Sequence, residues 1–469
     1  MAPPGDDVFF LSVAELSRKI KAKEISPLAL AEGYLDRLER LGPKFGAVVT
    51  ITRDRALAEA KAAERELAAG KWRGPLHGVP FGVKDLLATK DIPTTWGAAP
   101  YRDQVFDEDA TVVKRLHDAG AVLVGKLAMV ELAGGLGYNN ADASFTGPGR
   151  TPWNTAFWSG GSSSGPGAAT AAGLVGFSIG SETSGSIVTP AAFSGVTGLR
   201  PTYGRVSRHG AMALCWTLDK LGPMCRSAED CGLVMTAISG KDPLDATSVP
   251  RPFRPAPPNA KPRRLKVGVI KGTTEKVQPE VRTNFEESLK VLGTFCDVVP
   301  DVEFPDFPYG PTVGTIVAAE GASAFRDLIE SGRAKELKVP NDRWGGYAAS
   351  MVLAVDYLQA LRLRAPMKRA LDALYAKFDA LVAPTRATVA YPIGPDFDKV
   401  YPGIGGGPAV IPAGNLVGQP ALSVPNGFGE NGLPTALQFT GRAFSDETLV
   451  ALGAAYQSRT EWHRKRPPV

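Results

Sequence analysis

The stretch that decides the fold of this chain is Ser159-Gly-Gly-Ser-Ser-Ser-Gly-Pro-Gly-Ala-Ala169, followed by Gly180-Ser-Glu-Thr-Ser-Gly-Ser-Ile-Val188. No charged residue occurs from Thr151 to Ser181. The segment nevertheless contains too much Gly, Ser and Ala for a membrane span, which needs about 20 strongly apolar residues. We therefore expect it to be buried and tightly turned.

The pattern between these two loops predicts a short helix and then a strand. Pro166 suits the first turn of a helix that runs to Ala172, and Gly173 suits its end. The apolar run 174–179 is predicted to be a buried strand, with Gly180 beginning the second loop. A helix of about ten residues rises roughly 15 Å, and a strand of about five residues returns roughly 16 Å. Both serine-bearing loops are therefore expected at one edge of a sheet.

Two such loops supply the groups that acyl transfer requires. Gly-Gly-Ser and Gly-Ser turns offer backbone N–H groups and hydroxyls at close quarters, which can form an oxyanion hole and an activated nucleophile. The alternative is a flexible linker, because Gly/Ser segments often are linkers. A linker does not need the apolar and aromatic residues that are interleaved here, which are Trp153, Phe157, Trp158, Leu174, Val175, Phe177 and Ile179.

Composition indicates an ordinary globular protein. Its 469 residues are 44% hydrophobic and 22% charged, and the net charge is +5 without a block of like charges. Neither nucleic acid nor a membrane is therefore expected as a partner. The four cysteines have no CxxC spacing and the four histidines form no HxxxH or HExxH pair, so we expect no metal, no cofactor and no disulfide framework.

The N-terminus begins Met1-Ala-Pro-Pro-Gly-Asp-Asp and has no apolar signal core, which favours a cytoplasmic location.

Helical spacing predicts N-terminal helices over about 1–70, and alternating helices and strands predict an α/β catalytic core over about 71–240. A proline-rich surface crossover is expected over 242–261, and a largely helical insertion over about 310–378. Buried strands are predicted at 265–270, 379–385, 414–425 and 434–441.

Lys84 is the first candidate catalytic residue outside the two loops. It lies in the β-like apolar run Phe81-Gly-Val-Lys-Asp-Leu-Leu, and lysine is rarely buried without a partner or a purpose. Burial lowers the pKa of a lysine, so that it can act as a neutral base near pH 7. The alternative is a structural lysine that pairs with Asp85. His77, nearby, is interpreted as a turn residue bonded to the backbone.

Taken together, Lys84 and the two loops resemble the amidase signature family. The resemblance extends from Leu76-His-Gly-Val-Pro-Phe-Gly-Val-Lys-Asp to Asn415-Leu-Val-Gly-Gln-Pro-Ala-Leu-Ser-Val-Pro and Gly432-Leu-Pro-Thr-Ala-Leu-Gln-Phe, which covers most of the chain. It implies a single domain over 1–469 with a large twisted mixed β-sheet covered by helices on both faces. It also implies a small-molecule amide substrate, no cofactor, and a monomer or homodimer.

By the same resemblance, Ser186 is the nucleophile, Ser162 the bridging serine and Lys84 the base. The family separates its two serines by 24 positions, as here (186 − 162 = 24). The bond Gly161–Ser162 is expected to be cis. The expected oxyanion hole consists of backbone N–H groups of Thr183, Ser184, Gly185 and Ser186.

Two features depart from the family pattern. Glu182 and Val188 stand where the commoner text has Asp and Arg, which puts a salt link between those two positions in doubt. Ser163 and Ser164 are alternative hydroxyls in the first loop, although spacing favours Ser162. Candidate substrate contacts are Gly161 and Tyr138, with Trp158, Trp344 and Tyr401 as further possible pocket walls.

The alternatives in function are a binding protein without catalysis and the A subunit of an amidotransferase. The A subunit's usual acidic residue is missing before the Asn415-Leu-Val-Gly motif, where this chain has Tyr401-Pro-Gly-Ile-Gly-Gly-Gly-Pro-Ala-Val-Ile-Pro. This absence favours a stand-alone amidase. The mostly apolar pocket candidates favour an acyl or aryl amide as its substrate, with an ester or carbamate as an alternative. The presence of Lys84, Ser162 and Ser186 argues against a protein without catalysis.

Overall fold

A computed structural model describes residues 5–255 and 263–469 of the chain. One mixed sheet of eleven strands runs through these residues, with helices packed along its whole width. The strands are β1 Val48–Ile51, β2 Pro80–Lys84, β3 Val122–Leu127, β4 Phe177–Glu182, β5 Thr197–Arg200, β6 Lys220–Cys225, β7 Leu265–Ile270, β8 Cys296–Val302, β9 Ala380–Pro384, β10 Ala421–Phe428 and β11 Pro434–Thr440.

The helices alternate with these strands, which confirms the predicted α/β class and the large mixed sheet. They are α1 Val13–Lys21, α2 Pro27–Phe45, α3 Arg53–Ala68, α4 Thr111–Asp118, α5 Ser164–Ala171, α6 Val188–Ser194, α7 Ala228–Ile238, α8 Pro279–Gly293, α9 Tyr309–Ala324, α10 Arg326–Glu330, α11 Pro340–Ala349, α12 Ala354–Tyr375, α13 Val410–Leu416 and α14 Asp446–Gln457. The region predicted to be largely helical, about 310–378, holds most of α9 and all of α10 to α12.

Strand order in the sheet is β1-β3-β2-β4-β6-β5-β10-β11-β9-β7-β8. The neighbours β3, β2 and β4 run parallel, whereas β6 is antiparallel to β4. The carboxyl ends of β2 and β4 therefore meet the amino end of β6 at one edge of the sheet. This edge is where the sequence predicts the serine-bearing loops.

Two strand predictions were wrong in their boundaries. The strand between the loops begins at Phe177, and it continues through Gly180 to Glu182 because β6 pairs with it as far as Lys220. The segment 414–425 begins as α13 and becomes strand only at Ala421. In both places the pairing partner lies far away in sequence, so local pattern did not reveal the boundary.

The proline-rich crossover is only partly covered by the described residues. Residues 242–255 contain neither helix nor strand, in agreement with the prediction of a surface connection. Pro257, Pro258 and Pro262, which contributed to that prediction, lie outside the described residues.

Candidate active site

Lys84 occupies the carboxyl end of β2, a strand that is buried at every position. Its side chain is 0% exposed. The Nζ atom donates hydrogen bonds to the Oγ atom of Ser162 at 2.7 Å and to the Oγ atom of Ser181 at 2.9 Å. The lysine therefore faces two hydroxyls, one from each of the glycine- and serine-rich stretches. Ser181 is a partner that the sequence analysis missed, because it was assigned to a loop.

The surroundings of Lys84 favour its neutral form. Burial lowers the pKa of Lys84 to about 7, although the negative charges of Asp219 and Glu182 act in the opposite direction. Near neutral pH a substantial fraction of the side chain is therefore an uncharged amine. An uncharged amine has a lone pair and can accept a proton from a hydroxyl in contact with it.

The alternative pairing of Lys84 with Asp85 was wrong. Asp85 forms an ion pair with Lys126 at 3.1 Å, and both side chains are 0% exposed. Its carboxylate also accepts a hydrogen bond from the Thr95 backbone N–H at 3.0 Å. Successive side chains of an extended chain point to opposite sides, so Asp85 lies away from the hydroxyls that Lys84 contacts.

Ser162 lies between β3 and the start of α5, and the peptide bond Gly161–Ser162 is cis, as the resemblance predicted. The Val130 N–H donates to the Ser162 carbonyl at 3.1 Å, which fixes the loop against the end of β3. Gly161 has no room for a side chain, because a Cβ atom there would lie 2.6 Å from the Trp158 ring. Gly161 therefore shapes the loop, and Trp158 packs directly against it.

The two alternative hydroxyls of this loop serve structural contacts. Ser163 Oγ donates to the Ser181 carbonyl at 3.1 Å, and the Ser163 N–H donates to the Ser186 carbonyl at 3.3 Å. Ser164 Oγ donates to the Ala128 carbonyl at 3.4 Å. Ser162 is thus the serine of the first loop that contacts Lys84, and Ser163 ties the two loops together.

The second loop joins β4 to α6 and carries Ser186. Gly185 has a φ of 95°, a conformation that a residue with a side chain rarely adopts. Within the described residues, the backbone N–H groups of Ser184, Gly185 and Ser186 donate no hydrogen bond. They remain available to a ligand. Ser184 is exposed and Ser186 is partly exposed.

Thr183, the remaining predicted oxyanion residue, is held in place by Asp219. Its Oγ1 atom donates to Asp219 at 2.6 Å. Asp219 also accepts the backbone N–H groups of Leu214 at 2.9 Å and Cys215 at 2.8 Å. Burial raises the pKa of Asp219, while the hydrogen bond from Thr183 acts against this rise. Asp219 thereby holds the start of the loop to the segment that precedes β6.

Glu182 takes a role that sequence reasoning did not find. It lies fully buried at the end of β4 and pairs with Arg200 at 2.9 Å. Asn415 donates to it at 2.9 Å, and the N–H groups of Ile187 and Val188 donate at 2.9 and 3.1 Å. Burial would raise the pKa of Glu182, but the Arg200 guanidinium and the Asn415 amide bring it below its usual value. The salt link doubted between positions 182 and 188 is replaced by one to Arg200.

A cavity of about 540 Å³ opens in front of Ser186, and we call it the Ser186 cavity. Tyr138, Ser184 and Thr183 border it together with residues of α9 and α11, most of them apolar. Burial raises the pKa of Tyr138 to about 12, so its hydroxyl stays protonated at neutral pH. Trp344 does not line this cavity: its side chain is 71% exposed, and the neighbouring Gly345 forms the wall.

The remaining candidates lie near the first loop or away from it. Trp158 stacks on Phe397 at 4.8 Å between ring centres, and Tyr401 donates to the Ala390 carbonyl at 3.2 Å. His77 bonds to the backbone as expected, accepting from the Arg73 N–H at 2.9 Å.

Neither a metal-binding cluster nor a membrane-spanning helix occurs in the described part of the chain. It contains no group of three or more His, Cys, Asp and Glu side chains that could hold a metal ion. No helix in the same residues has the length and apolar character needed to cross a membrane.

Comparisons with known proteins give consistent matches over nearly the whole chain. A family model described as Amidase matches residues 29–450. The chain is 37% identical over 487 aligned residues to the A subunit of the glutamyl-tRNA(Gln) amidotransferase from Moorella thermoacetica, with 98% of this chain and 99% of the relative covered.

Solved structures of similar proteins have the same fold. The peptide amidase of Stenotrophomonas maltophilia matches with a TM-score of 0.86 and 32% identity, over 98% of each chain. The A subunit of the Thermotoga maritima glutamyl-tRNA(Gln) amidotransferase matches with a TM-score of 0.80 and 29% identity, over 96% of this chain and 95% of the other.

Proposed function

The chain belongs to the amidase (amidase signature) family and is an enzyme that hydrolyses C–N bonds of amides, and we propose that it does so through an acyl-enzyme on Ser186. The observation that carries this proposal is the 2.7 Å contact between the buried Lys84 amine and the Ser162 hydroxyl. It supplies a base without any imidazole.

The proposed reaction begins with two coupled proton transfers. Neutral Lys84 takes the proton of Ser162, which takes the proton of Ser186 as the Ser186 Oγ atom attacks the amide carbon. The carbonyl oxygen becomes an oxyanion and accepts hydrogen bonds from backbone N–H groups of the 183–186 loop. Each such donor contributes roughly 3–4 kcal/mol of transition-state stabilisation in comparable sites.

Breakdown of the tetrahedral intermediate returns the protons. The C–N bond breaks as Ser162 delivers a proton to the departing nitrogen and Lys84 reprotonates Ser162. The amine leaves, and Ser186 remains esterified to the acyl group. A water molecule then attacks this ester by the same relay, which releases the carboxylic acid and restores the Ser186 hydroxyl.

For the substrate, we infer an acyl or aryl amide handled by a stand-alone amidase. The largely apolar lining of the Ser186 cavity supports an apolar group next to the scissile bond. The absence of an acidic residue from 401–412 also supports this choice, since the resemblance implies one there in an amidotransferase chain.

The second candidate is the glutamine-hydrolysing A subunit of an amidotransferase. The 37% identity to the Moorella thermoacetica protein, over 98% of this chain and 99% of that protein, favours it. Glutaminase activity, together with co-purification of further polypeptides from the native source, would support this second candidate. A lone chain that hydrolyses simple amides but not glutamine would support the stand-alone amidase.

Two substitutions test the proposed chemistry. Ser186→Ala and Lys84→Ala should each reduce the turnover of a simple aryl amide to background, because one removes the nucleophile and the other the base. A fluorophosphonate probe should label the native chain and fail to label Ser186→Ala. Ser164→Ala is the matched control, because among the described residues its hydroxyl forms a hydrogen bond only with the Ala128 carbonyl. Unchanged turnover in both catalytic variants would refute the proposal.

A further inference from the structure

A second pocket, of about 270 Å³, lies near the 183–186 loop and shares no lining residue with the apolar Ser186 cavity. Its walls come from the end of β9 and the segment that follows, from the glycine-rich segment 404–412, and from residues 272–277 after β7. We call it the Arg386 pocket, after the charged residue beside β9. Its character differs from that of the Ser186 cavity, because polar groups form a large part of its lining.

Two polar side chains of the Arg386 pocket, those of Arg386 and Thr388, have polar atoms without a partner within the described residues. Arg386 makes no ion pair or hydrogen bond there, and its Nε atom is buried. The hydroxyl of Thr388 is also buried without a hydrogen bond, in a residue that is 6% exposed. A buried polar group without a partner costs free energy, so such groups in a native protein call for an explanation.

The charge of this pocket has one sign. Arg386 and Lys276 are its only ionisable lining residues apart from Tyr391, and no Asp or Glu of the described chain lines it. A guanidinium presents parallel N–H groups that fit the two oxygens of a carboxylate. The hydroxyl of Thr388 can donate to the same anion. The missing partner is therefore an anionic oxygen group.

The pocket adjoins the catalytic loop. Ile411 lines it, and the Ile411 side chain lies 3.4 Å from the position that a Cβ atom of Gly185 would occupy. The Arg386 guanidinium lies 5.9 Å from the ring centre of Phe193 on α6, the helix that follows Ser186. Ile411 therefore lines the pocket and also lies next to the loop expected to hold the oxyanion.

We propose that the Arg386 pocket binds a carboxylate carried by the substrate, so that the enzyme's preferred substrates are amides with an anionic group remote from the scissile bond. This inference rests on the proposed function and narrows its substrate class. The Ser186 cavity accepts the apolar part, and Arg386 selects for the charge. Arg386 is then a specificity-determining residue, with Thr388 as a second contact.

The test compares matched amides that differ only in the remote charge. Monoamides of straight-chain dicarboxylic acids of increasing length are assayed beside the straight-chain amides that carry a methyl group in place of the carboxylate. A second set places the carboxylate on the amine part, and a third carries a phosphonate. The native enzyme should prefer a carboxylate at one chain length. A preference for the phosphonate would overturn the carboxylate assignment.

Substitution of Arg386 should then act on the charged substrate alone. Arg386→Gln and Thr388→Val should lower kcat/KM for the best carboxylate substrate, about 10- to 100-fold for Arg386, mainly through KM. Arg386→Lys should recover part of this loss. Arg362→Gln is the matched control, since Arg362 is an exposed arginine on α12 that does not line the pocket. Equal losses on charged and methyl-bearing amides would indicate a structural role and overturn the inference.

Failure of the inference can be told apart from failure of the proposed function. Hydrolysis of amides without any preference for charge would leave the Ser186 chemistry standing and refute carboxylate binding by the Arg386 pocket. If no amide is hydrolysed, calorimetry measures the binding of two compounds to the Ser186→Ala variant. These are adipamate, the monoamide of a six-carbon dicarboxylic acid, and hexanamide, which carries a methyl group in place of the carboxylate. Tighter binding of adipamate, lost on Arg386→Gln, supports the pocket, and equal binding refutes it.

Discussion

Two buried lysines at the same edge of the sheet differ in what their amines contact. Lys84 ends β2 and Lys220 begins β6, and β4 lies between these two strands. Burial lowers the pKa of each to about 7. Lys84 donates to two hydroxyls, whereas the Lys220 Nζ atom has no hydrogen-bond partner within the described residues.

This difference shows that burial alone does not make a lysine a candidate catalytic base. Removal from water makes either amine a weak enough base to be neutral near pH 7. Of the two, only Lys84 is hydrogen-bonded to hydroxyls, and one of them belongs to Ser162, the proposed relay to Ser186. Lys220 instead faces Glu182 across the strand pair, and the Arg200 guanidinium, which is the ion-pair partner of Glu182, helps to lower the pKa of Lys220. A lowered lysine pKa therefore identifies a base only when a proton donor is in contact with it.

The largest expected effect comes from replacing each lysine by a similarly long apolar residue. Lys84→Met should lower kcat about 10³- to 10⁴-fold, within the range that a general base contributes. Lys220→Met should stay within about threefold of the native rate, because no hydroxyl depends on Lys220. The measurement is the initial rate of aryl-amide hydrolysis, with thermal melting to check folding. Equal losses from both variants would show that the two lysines act as one charge network.

Sequence reasoning found the part of this comparison that is encoded locally. Lys84 stands out as a charged residue in an apolar strand, and the family resemblance points to Ser162 and Ser186, which lie 24 positions apart. Strand β7 was predicted with its observed boundaries, because its apolar residues form a compact run with clear ends.

The contacts that distinguish the two lysines could not be predicted in this way. The pairing of Asp85 with Lys126 and that of Glu182 with Arg200 each join separate strands, so neither leaves a local pattern. The role of Ser181 depended on β4 continuing to Glu182, and this depends on its pairing with β6. Nothing near Lys220 in the sequence marks it as buried, so its burial could not be predicted.

An intermediate effect is expected on the pH dependence of stability. In the unfolded chain a lysine has a pKa of about 10.4, whereas Lys220 in the folded chain has a pKa of about 7. Between these values the unfolded state binds more protons, so the free energy of unfolding rises with pH, by up to about 1.4 kcal/mol per pH unit for each such lysine.

Lys220→Met removes one of these two contributions. We expect the variant to be more stable relative to the native chain at pH 7 than at pH 9, as measured by urea unfolding at both values. Lys84→Met is the matched control and should give a similar pH-dependent difference, although its effect on catalysis is far larger. Parallel stability curves for Lys220→Met and native protein would mean that Lys220 keeps an ordinary pKa.

The smallest expected effect isolates the second hydroxyl at Lys84. Ser181→Ala removes an acceptor that stabilises the ammonium form, so the pKa of Lys84 should fall by up to about one unit. The rise of kcat/KM with pH, which reports the free base, should shift to lower pH by the same amount. Ser178→Ala is the matched control, because Ser178 lies on the same strand but donates to the Pro166 carbonyl at 3.1 Å. An unshifted profile in Ser181→Ala would mean that Ser162 alone sets the basicity of Lys84, and that the contact to Ser181 is structural.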